Sequence, residues 1–129
     1  MRLREIAQIL DLEELTAPLV PLLEPGSDAP GEAINDPDIT MGYASDLLSD
    51  VLANAPAGGV LLTLQVHLNV IAVASHAGLQ AVIFSCGRRP DDEVIERAAG
   101  EGLALFASRA DTFELAGRLY ELGVRGTPA

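Results

Sequence analysis

Residues 81–108 read AVIFSCGRRPDDEVIERAAGEGLALFAS, two apolar runs with a charged segment between them. AVIFSC (81–86) is an unbroken apolar run, the pattern of a strand buried on both faces inside a parallel sheet. Pro90 suits the first turn of a helix, and Asp91, Asp92 and Glu93 complement the positive end of its dipole. LALFAS (103–108) is a second buried strand. Strand, helix and strand in this order predict a right-handed βαβ unit.

The same alternation extends in both directions. Upstream, ITMGYA (39–44) reads as a strand, and Ser45 to about Asn54 as a helix. VLLTL (60–64) is the next strand, and LNVIAVASHAG (68–78) is a helix apolar nearly all round, hence expected to be well buried. Downstream, Asp111 opens a capping box with Glu114, and Gly123 ends the last helix with Val124 behind it. The start, MRLREIAQIL, reads as an amphipathic helix, since it lacks the uninterrupted apolar region and cleavage site of a signal peptide. ELTA (14–17) adds an edge strand. PLLEPGSDAPGEAINDPD (21–38), with four prolines, reads as a surface loop. The prediction is one α/β domain over residues 1–129. Residues 1–38 form an irregular N-terminal part, and 39–126 form a βα core. Its architecture is layered: a mostly parallel sheet of four to five strands with helices on both faces.

Composition limits the function. The net charge is −11, and all eight cations are arginine. Without lysine there is no Walker-type phosphate loop and no Schiff-base chemistry. So acidic a chain is not expected to bind nucleic acid, which needs a concentrated cationic face. Charge is also uneven: residues 1–50 hold eleven acids and two arginines, residues 51–129 eight acids and six arginines. Nothing between Val51 and Gly87 is charged, but Pro56, Gly58, Gly59, Gln65, His67, Asn69 and His76 interrupt that stretch too often for a membrane span. The single cysteine, Cys86, excludes an internal disulfide and fits a reducing cytoplasm; at the end of a buried strand it reads as a small core residue.

Ligands of open parallel sheets bind beyond the carboxyl ends of the strands. That rule collects candidate ligand-binding residues from four loops: Ser45 and Asp46; Thr63 and Gln65; Gly87, Arg88 and Arg89; Arg109 and Thr112. The arginines point to an anion, and the competing reading pairs Arg88 and Arg89 with Asp91, Asp92 or the acidic N-terminal half. Asp46 and Asp50 would lie about 40° apart on one helix, where capping and solvation are the expected roles. A metal site there would need further ligands, and none is near in sequence. His67 and His76, nine residues apart, cannot chelate jointly from one helix. No metal, cofactor or catalytic residue is expected.

The segments ASDLLSDVL (44–52), GGVLLTLQ (58–65), the 81–108 stretch and DTFELAGRLYELGVRG (111–126) together resemble the DRTGG domain family, over most of residues 39–126. That family resembles the N-terminal domain of HPr kinase/phosphorylase and of Mur ligases; it also occurs between CBS domains of regulatory pyrophosphatases and in phosphate acetyltransferases. The resemblance implies a layered α/β fold and a regulatory or interaction module, not a catalytic one; together with the rim arginines, the expected function is a ligand-sensing module for a small anion or adenine nucleotide. Where the family's glycine-rich turn would fall, this chain has Leu62-Thr63-Leu64-Gln65, and no family catalytic residue carries over. The expected partner is a second copy in a homodimer. The alternatives are a protein-interaction subunit of a redox or kinase assembly without a ligand of its own, and an enzyme using Asp46.

Overall fold

The computed structural model describes residues 1–20 and 34–128. In chain order the elements are α1 (Leu3–Ile9), β1 (Glu13–Glu14), β2 (Leu19–Val20), β3 (Ile34–Asn35), β4 (Gly42–Ala44) and α2 (Leu48–Asn54), followed by β5 (Val60–Thr63), α3 (Asn69–His76), β6 (Ala81–Phe84), α4 (Asp92–Gly100), β7 (Ala104–Ala107) and α5 (Thr112–Glu121). Five strands form one sheet in the order β1-β7-β6-β5-β4, parallel except for β1, which runs antiparallel to β7.

The parallel strands lie side by side in chain order. Right-handed crossovers repeated in one direction place every intervening helix on the same face. Packing agrees: Val51 of α2, Val70 and Ala74 of α3, and Val94 and Ala98 of α4 share one core with Leu61, Val82, Phe84 and Leu105. The alternate strand residues Val60, Leu62, Ile83 and Phe106 face the other way, against Leu3 and Ile6 of α1 and Leu115 and Leu119 of α5. Both faces are therefore covered, which is why β5, β6 and β7 read as unbroken apolar runs.

Several expectations need correction. The 21–38 loop reading falls largely on residues 21–33, outside the described residues. Within its described part, Ile34–Asn35 pairs in parallel with Leu19–Val20. Two-residue strands are too short to leave a periodic signal. The edge strand is Glu13–Glu14 rather than 14–17, although Leu15 and Thr16 continue to bond Leu105 through its carbonyl and amide. Helix α3 buries one face only, since Ala72, Ser75 and His76 are exposed. Pro90 is buried just before α4, whose N-cap is Asp91. At α5, Asp111 accepts the Glu114 amide at 2.8 Å, but the Glu114 carboxylate turns to Arg118 instead of closing the capping box. Gly123, at φ 100°, ends that helix as expected: its N–H and that of Val124 reach Tyr120 and Leu119.

Helix α1 is held from a distance. Its unpaired amides at Leu3 and Arg4 donate to the Pro37 carbonyl and to the buried Asp36 carboxylate, at 2.9 and 2.8 Å. This ties the N-terminal helix to the segment leading into β4.

Candidate functional site

The carboxyl ends of β4–β7 divide into two regions of different character. At β4 and β5, Asp46 lies before α2 rather than on it, because its carboxylate accepts from the Thr63 hydroxyl (3.2 Å) and the Leu64 amide (2.7 Å). Gln65 returns the contact through its side-chain amide, donating to the Asp46 carbonyl at 2.9 Å, while the Ser45 hydroxyl accepts the Leu47 amide. Asp46, Thr63 and Gln65 thus latch two adjacent loops to each other, while the Ser45 side chain braces its own loop. The helix that was to begin at Ser45 begins at Leu48, so Asp46 and Asp50 do not share one.

Asp50 has a separate role. It accepts from the Tyr43 hydroxyl (2.9 Å) and the Asn54 amide (2.9 Å). The Asn54 hydrogen bond foremost holds its carboxyl below the usual range, and the Asp50 bond raises the Tyr43 phenol. A depressed Asp pKa means stability present above the ordinary carboxylate value and lost as pH falls through the folded one. The raised Tyr pKa has the opposite sense: stability is present below the ordinary phenol value and lost as pH rises through the folded one. In Asn54→Ala the Asp50 midpoint, followed by carboxyl-carbon NMR, should move upward. An unchanged midpoint contradicts the assignment.

The second region lies at β6, β7 and β1. After β6 the chain passes to α4 on one face of the sheet, and after β7 to α5 on the other. Connections that leave neighbouring strands for opposite faces open a crevice between them. A groove of about 590 Å³ occurs there, lined among others by Asp11, Glu13, Gly87, Arg89, Arg109 and Arg118. That is within the range of small-ligand sites, about 300–1,000 Å³. Its wall is set by a tight turn at Ser85–Arg88, in which Cys86 and Gly87 both have positive φ (60° and 71°) and the Arg88 amide reaches the Ser85 carbonyl. Gly87 tolerates this conformation. The Cys86 and Gly87 amides bond the Ala110 and Ser108 carbonyls, and the Ser85 and Thr112 hydroxyls meet at 2.6 Å. Thr112 is thereby engaged within the fold. The turn also exposes Cys86, against its reading as a core residue.

The arginines are sorted by this geometry. Arg89 lines the groove and pairs with Glu13 of β1, as the competing sequence reading allowed. Arg88 is exposed and is not part of the lining. Arg109 lines it with no carboxylate within 4.0 Å among the described residues. Arg118, paired with Glu114 at 3.1 Å, joins them from α5 and was not singled out from sequence. The available signal was its place one turn beyond Glu114, on the charged side of the helix. Among the described residues no group of three or more His, Cys, Asp or Glu side chains could hold a metal ion, and no helix is long and apolar enough to cross a membrane.

Comparison with known proteins bears on this region. No curated protein matches the chain. The family model of the DRTGG domain matches residues 66–122, a stretch that contains α3 to α5 and the groove residues Gly87, Arg89, Arg109 and Arg118. Residues 66–122, and with them most of the groove, are thus similar to the DRTGG domain, a family that is regulatory or ligand-sensing in character.

Proposed function

We propose that the chain is a non-catalytic regulatory module that binds a small anion, such as the phosphates of an adenine nucleotide, in the arginine-lined groove. The observation that carries this reading is the convergence of Arg89 and Arg109, from the loops after β6 and β7, and of Arg118, from α5, on one groove of a protein with net charge −11. Guanidinium forks suit phosphate oxygens, and charge-assisted hydrogen bonds each contribute about 1.5–3 kcal/mol. A reducing cytoplasm suits the exposed thiol of Cys86.

Calorimetry with inorganic phosphate, ADP and ATP tests the reading. Arg109→Ala should weaken binding roughly ten-fold or more, while Arg88→Ala, outside the lining, should leave it unchanged. Equal affinity in wild type and in the Arg89→Ala, Arg109→Ala and Arg118→Ala variants would remove the groove as the site. ATP turnover by homogeneous protein, abolished by Asp46→Asn, would overturn the non-catalytic part.

A second reading, an interaction subunit, is favoured by one observation. Phe113 on α5 is 88% exposed, unusual for so large an apolar side chain.

A further inference from the structure

Helix α5 carries three distinct sides. Leu115 and Leu119 enter the core, while Glu114, Arg118 and Glu121 form a charged flank. On the outward side stand the exposed Phe113, Gly117 and Tyr120, with the half-buried Ala116 at their edge, at the i, i+3, i+4 and i+7 spacing of a continuous stripe. Phe113 is 88% and Tyr120 58% exposed, so the stripe has an aromatic at each end and small residues at its centre. Beside its C-terminal half lies an apolar slot of about 220 Å³, lined by Tyr43, Ala44, Leu62, Ala116, Leu119 and Tyr120 among others. The Arg125 guanidinium lies 3.8 Å from the centre of the Tyr120 ring, which closes one side.

Deepening the interaction reading above, we infer that this stripe is the interface of a two-fold dimer, in which Phe113 of each copy enters the slot beside Tyr120 of the other. The anion groove is not required for it. Three observations select a second copy as the occupant. First, the pattern is self-complementary: antiparallel pairing about a two-fold axis between Ala116 and Gly117 sets Phe113 against the partner's C-terminal half, and the reverse. The two aromatics are about 10 Å apart along the helix, and the small residues between them let the helices approach closely. Second, the slot fits the knob, since an apolar cavity of about 150 Å³ already holds benzene. Third, two copies each of charge −11 repel, but residues 109–125 carry three arginines and three acids, a net charge of zero. The stripe and its flanks therefore add no net like charge where two copies meet.

Sedimentation equilibrium of the full chain at about 100 μM should give twice the 13.5 kDa chain mass. Phe113→Ser should raise the dimer Kd at least ten-fold. So should Gly117→Glu, which sets a carboxylate against its own copy; a Cβ at Gly117 meets nothing within 4 Å, so the fold is kept. In a Cys86→Ser background, Gly117→Cys should give an oxidised dimer and Glu96→Cys, on α4 across the sheet, none. A single-chain mass for wild type, or a dimer unaffected by both substitutions, would overturn the interface. Failure here with intact phosphate binding would leave the groove reading standing, and loss of phosphate binding alone would leave the dimer.

Discussion

Phe106→Ala should lower the stability of this protein by about 3–5 kcal/mol, a large part of the roughly 5–15 kcal/mol that holds a domain of ordinary stability. Phe106 is fully buried in β7, packed in the core that α1 and α5 make with the sheet. Removing the ring loses its transfer free energy and leaves a void, because strand neighbours on both sides hold the backbone in place. The melting temperature should fall by roughly 10–20 °C. Phe113→Ala is the matched control: the same side chain, 88% exposed, should change monomer stability by no more than about 0.5 kcal/mol. Equal effects at the two positions would contradict the packing described.

The next largest effect is expected at Asp46. Asp46→Ala removes the acceptor for the Leu64 amide and for the Thr63 hydroxyl, and Thr63 is fully buried. A donor left without its partner costs its desolvation, so the loss should be about 1–3 kcal/mol even though Asp46 itself is exposed. Asp46→Asn keeps one acceptor oxygen and should cost less. Urea unfolding measures the total, while amide exchange at Leu64 reports the latch directly. If Leu64 exchanges at the same rate in Asp46→Ala as in wild type, the carboxylate does not hold the loop.

The division between what was legible and what was not follows from the range of the forces involved. Strands β5, β6 and β7 were readable because burial on both faces demands apolar side chains at consecutive positions, a signal carried within a few residues. The end of α5 was readable for a similar reason: Asp111, Gly123 and Val124 act on backbone groups three to five residues away. The start of α2 was not. Asp46 is drawn to Thr63 and Leu64, across a strand pairing that no local pattern encodes, and this contact keeps Ser45 to Leu47 out of the helix. The arginine groove divides in the same way. The strand-end rule was enough to nominate Arg89 and Arg109. Strand order, with α4 and α5 on opposite faces, decided that Arg118 joins them, that Arg88 stays outside, and that Glu13 is the partner of Arg89. A side chain's chemistry is written in the chain, but the neighbours that give it a task are brought from a distance by burial of the sheet, and only the folded structure names them.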